Sequence, residues 1–372
     1  MSGWQMNSEF PDRPSGGRGE RGRSALHAST SLSGWMGRVP AFVMGASLIA
    51  AGTANANPED PTVIDGDVSF VNTSDTRLDI NQFTNSSLID WRSFSIDIGE
   101  VTNFNMPSSS SVSVNRVTGG SVSEIFGTLS SNGRVLLLNT NGILFGAGSR
   151  VDVSGLVATT NDIDVAAYTE GRFSFSGASD STASVVNRGT ITVADGGLVA
   201  LVAPGVENSG AIVANLGSVS LASGNAFTID LFGDGLVSMV AGSQVLSQAI
   251  GPDGQPLDAM VANSGSIQAD GGMVLLSVDA AAGLVDNVIN MSGVIQARSI
   301  SSQNGEIILS GGSNGIVNVF GTLDASGKNS GEAGGTVKVL GEYVGLFDGA
   351  SIDVSGDAGG GTALIGGNFQ GN

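Results

Sequence analysis

The sequence contains no cysteine and a single histidine, His27. The absence of cysteine excludes a disulfide framework, a cysteine-ligated zinc site and a thiol nucleophile. It reflects either low cysteine usage or a chain that must stay unfolded in the periplasm, which oxidises thiols. Charged residues make up 13% of the sequence. This low share does not indicate intrinsic disorder, because disordered chains are rich in charge.

Basic residues are also scarce, and the formal net charge is −19. A nucleic-acid partner is therefore not expected, because nucleic acids bind to basic surfaces. The acidic residues are scattered, with no EF-hand loop and no tandem Gly-Gly-x-Gly-x-Asp array. We accordingly expect neither a metal ion nor another cofactor.

Residues 1–56 have the three parts of a secretory signal peptide. Five arginines and one acid lie between residues 13 and 38, and an apolar stretch follows at residues 39–51. Ala54-Asn55-Ala56 matches a small-x-small cleavage site, so we expect cleavage after Ala56 and a mature chain that begins at Asn57. The apolar stretch is too short for a permanent membrane anchor. A buried core helix is the alternative, but the arginine-rich lead fits it poorly.

Short apolar segments separated by glycine recur through the rest of the chain. Four glycines are spaced 28 residues apart: Gly265, Gly293, Gly321 and Gly349. An apolar residue follows each of them two positions later, or three in the last case: Ile267, Ile295, Leu323 and Ile352. Earlier in the chain, Asn187 and Asn208 begin a similar segment, 21 residues apart.

A repeat of this length, built from short strands and glycine or asparagine turns, is typical of a β-solenoid. We predict an all-β chain folded as a right-handed parallel β-helix (β-solenoid) with an amino-terminal cap. Alternate side chains of each strand should point inward and fill the core. A β-sandwich is the alternative, but it does not explain the 28-residue step.

Residues 57–160 depart from the repeat and carry a dense series of motifs. They are Ile-Asp-Trp-Arg-Ser-Phe-Ser-Ile at 89–96, Asn-Phe-Asn-Met-Pro at 103–107, Val-Asn-Arg-Val-Thr-Gly-Gly at 114–120, Ile-Phe-Gly-Thr-Leu at 125–129, and Gly-Arg-Val-Leu-Leu-Leu-Asn-Thr-Asn-Gly-Ile-Leu-Phe-Gly at 133–146. Together they resemble the haemagglutination-activity, or two-partner secretion, domain of the filamentous haemagglutinins and related haemolysins and adhesins.

The resemblance implies an export-directing domain at the amino terminus of a secreted exoprotein. Its implied partners are the general secretory translocon and a cognate outer-membrane barrel transporter with periplasmic polypeptide-transport-associated domains. A region further along the exoprotein would meet a host or neighbouring-cell surface. The chain then divides into a signal peptide at 1–56, a two-partner secretion domain with cap and first coils at 57–160, and continuing coils at 161–372. It would be secreted, or held at the surface of a Gram-negative bacterium.

The family's Asn-Pro-Asn-Gly motif is present as Asn139-Thr140-Asn141-Gly142, with threonine in place of proline. These residues, together with Asn115 and Arg116, are the candidates for recognition by the transporter or for shaping a turn near the cap. Both roles stay open, because asparagine and glycine also stabilise turns by themselves. Arg116 has the further alternative of pairing with an acid such as Glu124. Trp91 and Phe94 are expected in the core of the cap.

Two other functions remain as alternatives. One is a self-standing adhesin, although strand and turn composition continues to the last residues and leads us to expect further coils. The other is a carbohydrate-active enzyme, since parallel β-helices include such enzymes. With His27 in the leader, the mature chain would lack a Ser-His-Asp triad and a histidine metal site, and we assign no catalytic residue.

Finally, the motif at 139–142 yields an export prediction. Alanine at both Asn139 and Asn141 should block export. The same change at Asn208 and Asn263, expected in ordinary coil turns, should be tolerated.

Overall fold

The computed structural model describes residues 57–231, 237–239, 244–280, 284–285 and 287–366. The signal peptide expected at residues 1–56 therefore lies outside the described residues. Within these ranges the chain forms 34 β-strands and one short helix, α1 (Val165–Thr169). No helix in the described ranges is long and apolar enough to cross a membrane.

Three long sheets contain thirty of the strands. Sheet 1 consists of β1 (Thr62–Asp65), β4 (Ser86–Trp91), β6 (Val112–Val117), β9 (Arg134–Asn139), β12 (Gly155–Thr159), β17 (Leu198–Ala203), β20 (Ser218–Ser223), β25 (Met273–Val278), β28 (Glu306–Ser310), β31 (Thr336–Leu340) and β34 (Thr362–Gly366). Sheet 2 consists of β7 (Ser123–Ile125), β10 (Ile143–Phe145), β15 (Ser184–Asn187), β18 (Gly205–Asn208), β23 (Ala259–Asn263), β26 (Asn287–Met291), β29 (Ile316–Val319) and β32 (Tyr343–Leu346). Sheet 3 consists of β2 (Val68–Ser74), β3 (Arg77–Gln82), β5 (Val101–Asn105), β8 (Thr128–Ser131), β11 (Arg150–Val153), β16 (Thr190–Val193), β19 (Ala211–Val213), β24 (Ser266–Gln268), β27 (Val294–Gln296), β30 (Thr322–Asp324) and β33 (Ser351–Asp353).

The chain runs from sheet 1 to sheet 2 to sheet 3 and back, and each such circuit is one coil. We number the coils by their strand in sheet 1, so that coil 1 begins at β4, coil 2 at β6 and coil 3 at β9. Successive coils pair in parallel, as β6 does with β9 and β10 with β15. Crossover connections between parallel strands are right-handed. The prediction of a right-handed parallel β-helix is confirmed.

An amino-terminal cap closes the first edge of sheets 1 and 3. Strand β1 pairs antiparallel with β4, and β2 pairs antiparallel with β3. Beneath the cap the indole of Trp91 makes edge-to-face contacts with the rings of Phe70 and Phe94, at centroid distances of 5.4 and 5.5 Å. Trp91 and Phe94 are both buried, as the sequence predicts. An antiparallel cap covers edges that would otherwise pair with another chain.

The 28-residue glycine step forms a column at the corner that precedes sheet 3. A β-carbon on Gly293 would lie 2.1 Å from the carbonyl oxygen of Gly265, and one on Gly321 would lie 2.0 Å from that of Gly293. No other residue fits such a close approach of backbones. The apolar residues that follow are stacked in register, Ile267 on Ile295 on Leu323 on Ile352. Gly349 does not belong to this column, because Ala350 lies opposite Gly321, and this accounts for the extra residue before Ile352.

A second apolar layer, not expected from the sequence, covers the outer face of sheet 1. It is sheet 4, an antiparallel sheet of β13 (Asp162–Ile163), β14 (Phe173–Ser176), β21 (Ala226–Ile229) and β22 (Val237–Met239). Its strands belong to two insertions between sheets 1 and 2, at residues 160–183 in coil 4 and 224–258 in coil 6.

This layer explains why the early strands of sheet 1 are apolar throughout rather than alternating. In β9 the side chains of Val135 and Leu137 fill the central core, whereas Leu136 and Leu138 lie in a separate cluster under sheet 4. Strands buried on both faces read as continuous apolar runs. The expectation that only alternate side chains are buried holds for later strands such as β28, whose burial does alternate.

Asn208 and Asn263 do not occupy ordinary turns, and the expectation that they do is wrong. Together with Asn187 they form a buried ladder at the ends of β15, β18 and β23. The Nδ2 of Asn187 donates to Oδ1 of Asn208, and Nδ2 of Asn208 donates to Oδ1 of Asn263, both at 2.7 Å. In β26 the next position is Met291, whose sulfur accepts from Asn263 at 3.3 Å.

Replacing Asn208 with alanine should lower the free energy of unfolding by about 3 kcal/mol, because the fully buried Nδ2 of Asn187 and Oδ1 of Asn263 then lose their partner. Urea unfolding of the purified chain measures the change. Asn314→Ala is the matched control, since Asn314 is exposed and its side chain makes no hydrogen bond within the described ranges. Equal stability of the two variants would contradict a structural role for the ladder.

Candidate recognition turn

The Asn139-Thr140-Asn141-Gly142 turn connects β9 of sheet 1 to β10 of sheet 2 in coil 3. The Gly142 amide donates to the carbonyl of Asn139 at 3.1 Å, which closes a four-residue β-turn. Gly142 has a φ of +121°, and a β-carbon there would lie 3.3 Å from the Ser184 carbonyl of the next coil. This position therefore favours glycine for both backbone and space.

Asn139 organises the turn from a buried position. Its Oδ1 accepts hydrogen bonds from the backbone amide and the side chain of Asn141, at 2.9 and 3.0 Å. Its Nδ2 donates to the carbonyl of Ser121 and the hydroxyl of Ser123, at 2.9 and 3.0 Å. Every polar atom of the Asn139 side chain is thus used inside the protein, as a buried amide requires.

Asn141 differs from Asn139 in being exposed. Its Nδ2 also donates to the carbonyl of Gly119, 22 residues earlier, at 2.9 Å. Five side-chain hydrogen bonds therefore join the two asparagines to each other and to the corresponding corner of coil 2. The turn locks one coil onto the preceding one, and it leaves Asn141 and Thr140 available at the surface.

The structure also shows how the turn forms without the proline of the family motif. Proline is favoured at the second position of a β-turn because it fixes φ. Thr140 occupies that position here, and the bond between Asn139 Oδ1 and the Asn141 amide provides the constraint instead. Such a side-chain-closed turn is a common role of asparagine.

Asn115 and Arg116 lie in the middle of β6 and not in a turn. Asn115 points into the central core, where its Oδ1 accepts from the indole nitrogen of Trp91 at 3.0 Å. Its Nδ2 lies within hydrogen-bonding distance of the backbone and hydroxyl oxygens of Ser113, at 3.2 Å each. Asn115 is fully buried and supports the cap core from within.

Arg116 faces outward but is held by two acids. Its guanidinium donates to both carboxylate oxygens of Asp90, at 2.7 and 2.8 Å, and lies 3.8 Å from Asp162 of the first insertion. The hydrogen bonds to Asp90 raise the pKa of Arg116 above its usual value. The pairing with Glu124 considered from the sequence is wrong, because Glu124 lies in β7 of another sheet and Asp90 is the direct cross-strand neighbour.

Of the residues expected at the cleavage site, the structure describes only Asn57. Ala54 and Ala56 lie outside the described residues. Asn57 is buried, and its Oδ1 accepts a hydrogen bond from the Thr102 hydroxyl at 3.0 Å. Two residues later, Glu59 forms an ion pair with Arg92 at 2.5 Å. The expected first residues of the mature chain are thus fixed to the cap.

Sequence reasoning missed the residues that receive the turn, namely Gly119, Ser121 and Ser123. Corners of successive coils stack on one another, so a search about one coil upstream of Asn141 would have found them. It also missed the far side of the turn, where Ile250–Pro252 of the second insertion lies close to Asn141 and Gly142. No pattern in the sequence indicates that contact.

Tyr168 of the first insertion also reaches the cap. Its hydroxyl donates to Asp65 of β1 at 3.0 Å, and burial raises its pKa well above the usual value. Together with the ion pair between Arg116 and Asp162, this bond ties the first insertion to the cap and to coil 2. In the described part of the chain, no cluster of three or more acidic or histidine side chains is placed to hold a metal ion.

Comparison with known proteins identifies the family of this chain. A sequence model described as the TPS secretion domain matches residues 53–339. The heme/hemopexin-binding protein of Haemophilus influenzae strain Rd is 30% identical over 268 residues, which cover 68% of this chain and 27% of that protein. The chain thus spans about a quarter of the length of its curated relatives.

Two solved structures are similar to this chain to different degrees. The HMW1 secretion domain from Haemophilus influenzae is 30% identical and superposes with a TM-score of 0.69, over 85% of this chain and 78% of that one. The filamentous hemagglutinin secretion domain is 17% identical, with a TM-score of 0.49, over 82% of this chain and 100% of that one.

These matches extend well beyond the motifs at residues 89–146 and include the coils that follow. TPS secretion domains direct the export of two-partner exoproteins across the outer membrane, each with a cognate transporter. This chain belongs to the TPS secretion domain family and is the export-directing domain of a two-partner exoprotein.

Proposed function

We propose that the transporter recognises a unit formed by residues 57–258, and that the turn at 139–142 is central to that step. In this proposal the general secretory translocon delivers the chain to the periplasm after cleavage behind Ala56. An outer-membrane barrel with periplasmic polypeptide-transport-associated domains then carries it outward. The β-helix folds outside, where a region further along the exoprotein meets a host or neighbouring-cell surface.

The set of bonds between the turn and coil 2 is the observation that carries this proposal. The two asparagines fix coil 3 to coil 2, and coils 1 and 2 are the two coils nearest the cap. Each hydrogen bond contributes roughly 1 kcal/mol at equilibrium. A turn that forms early has a larger effect on folding, because it sets the register for the coils that follow.

The proposed unit ends later than the boundary at residue 160 expected from the sequence. That boundary separates β12 from both insertions, although the insertions cover the outer face of sheet 1. Sheet 4 is complete only when β21 and β22 have joined β14. The segment up to residue 258 supports the proposal because it contains all of these strands.

Export in a two-gene system tests the proposal. The chain should reach the medium only when the cognate transporter is co-expressed, and it should otherwise accumulate in the periplasm. Amino-terminal sequencing of the exported chain should give Asn57 as its first residue. Export without the transporter would contradict the partnership. A first residue other than Asn57 would contradict the cleavage site and leave the rest unaffected.

A further inference from the structure

The sequence contains four asparagine–glycine pairs, and the structure holds them in two different ways. The pairs are Asn132-Gly133, Asn141-Gly142, Asn304-Gly305 and Asn314-Gly315. Asparagine before glycine is prone to spontaneous deamidation, because glycine has no side chain that hinders its backbone nitrogen. All four asparagines are exposed to solvent, so exposure does not distinguish them. Their hydrogen bonds do.

Deamidation requires two groups of the pair to move freely. The glycine nitrogen loses its proton and attacks the asparagine Cγ, which closes a succinimide ring and releases the side-chain nitrogen as ammonia. Water then opens the ring at one of its two carbonyls, and the product is an aspartate or a β-aspartyl linkage. A hydrogen bond to the attacking nitrogen or to the leaving amide opposes the reaction, because that bond must break before the ring can close.

In the recognition turn both groups are held. The Nδ2 of Asn141, which would leave as ammonia, donates to the carbonyl of Gly119 and to Oδ1 of Asn139, at 2.9 and 3.0 Å. The nitrogen of Gly142, which would attack, donates to the carbonyl of Asn139 at 3.1 Å. The bond to Gly119 exists only when coil 3 lies on coil 2. The folded corner therefore shields Asn141 from deamidation although its side chain is exposed.

The pair at the end of coil 2 is held in the same way. The side chain of Asn132 accepts from the amide of Met106 and donates to the carbonyl of the same residue, both at 2.8 Å. The nitrogen of Gly133 donates to the hydroxyl of Ser131 at 2.9 Å. Met106 lies at the corresponding corner of coil 1. Protection of this pair therefore also requires two stacked coils.

The two pairs in coils 7 and 8 lack such bonds. The side chain of Asn314 makes no hydrogen bond within the described ranges, and that of Asn304 only accepts from the hydroxyl of Ser299 at 3.5 Å. Neither Gly305 nor Gly315 donates a backbone hydrogen bond to the described residues. The chain therefore contains two shielded pairs and two unshielded pairs, and the shielded ones lie next to the cap.

We propose that Asn141 is a deamidation site of the unfolded chain, and that the stacking of coil 3 on coil 2 closes this site. The consequence for export rests on the proposed function, in which the chain folds only outside the cell. An aspartate at this position cannot donate to Gly119 or Asn139, and a β-aspartyl linkage lengthens the backbone of the turn. A chain that waits in the periplasm therefore loses its recognition turn with time, and the reaction limits how long it stays competent for export.

Incubation of the purified exported chain in mildly alkaline buffer, with and without guanidinium, tests the chemistry. Peptide mass spectrometry measures deamidation at each of the four pairs. In the folded chain Asn132 and Asn141 should deamidate at least about tenfold more slowly than Asn314, because their corners must first open. In guanidinium all four pairs should react at similar rates. Equal rates at Asn141 and Asn314 in the folded chain would overturn the proposal.

Delayed expression of the transporter tests the consequence for export. Chains held longer in the periplasm should be exported in a smaller fraction, and those left behind should be enriched in deamidation at Asn141. Asn141→Asp should stay in the periplasm, whereas the matched control Asn314→Asp should be exported like the unchanged chain.

Two results separate this inference from the proposed function. Export of Asn141→Asp, with the double alanine variant of Asn139 and Asn141 retained, would overturn the inference and leave the role of the turn intact. Export of both variants would contradict the role of the turn itself, and with it the time limit on export.

Discussion

Replacing both Asn139 and Asn141 with alanine should leave most of the chain in the periplasm when the transporter is present. The change removes five hydrogen bonds, of which three hold coil 3 to coil 2 and two close the turn itself. At roughly 1 kcal/mol each, the native state loses several kcal/mol, a large part of the stability of an ordinary domain. The carbonyl of Ser121 and the hydroxyl of Ser123 also lose a buried partner. Immunoblots of medium and periplasm measure the distribution.

The control must be a pair of asparagines without structural bonds. Asn208 and Asn263 are unsuitable, because they belong to the buried ladder. Asn85 and Asn314 are exposed, and their side chains make no hydrogen bond in the described ranges. The Asn85→Ala, Asn314→Ala chain should therefore be exported like the unchanged chain. Equal export of the two double variants would show that the turn at 139–142 has no special role.

A chain shortened to end at residue 160 should not be exported in a protease-resistant form, whereas one that ends at residue 258 should be. The shorter chain exposes six apolar side chains of sheet 1 that are otherwise fully covered: Leu88, Val112, Val114, Leu136, Leu138 and Val157. At about 1.5–3 kcal/mol for each buried side chain, the loss is on the order of 10 kcal/mol. This equals the whole stability of a typical domain.

A third fragment separates the contributions of the two insertions. Ending the chain at residue 183 keeps the first insertion but removes β21, the strand that pairs with β14. The stacked pair of Phe175 and Phe227, 4.6 Å apart, is then broken. This fragment should resist protease less well than the one that ends at residue 258. Full resistance and export of the fragment that ends at residue 160 would restore the earlier boundary.

The coils were predictable from the sequence because their determinants are local and repeat. The spacing of Gly265, Gly293 and Gly321 reports a backbone contact that each coil must make with the next. Inward residues such as Ile267 and Ile295 follow at a fixed distance because the strand begins directly after the corner. Because each coil repeats the same backbone contact, the glycines and the inward residues recur at a regular spacing, and the β-helix could be predicted from that spacing.

The second layer could not be predicted in the same way. Strands β14 and β21 are about 50 residues apart, and neither has a counterpart in other coils. Their pairing depends on the outer face of sheet 1, whose apolar runs can be recognised as doubly buried only once a covering sheet is known. The continuous apolar run Val135–Leu138 indicates a strand that is buried on both faces, and therefore a layer over the outer face of sheet 1.

The candidate site was predictable in its residues but not in their roles. The motif located Asn139, Asn141 and Gly142 at a turn, where the structure has them. It did not distinguish the buried Asn139 from the exposed Asn141, because burial here depends on the corner of coil 2. Asn115 has the same residue type yet points into the core, since its position in β6 is set by the register with β4 and β9.

The asparagine ladder and sheet 4 join the same three coils, 4 to 6. In a stack where each coil touches only its neighbours, stability is a sum of local terms, and the chain can unzip one coil at a time. Here the ladder links three successive coils, and the pairing of β14 with β21 joins the first of them directly to the last. Coils 4 to 6 must therefore open together or not at all. Mechanical or thermal fraying that starts in the later coils would stop at this block, which shields the cap and the turn at 139–142 behind it.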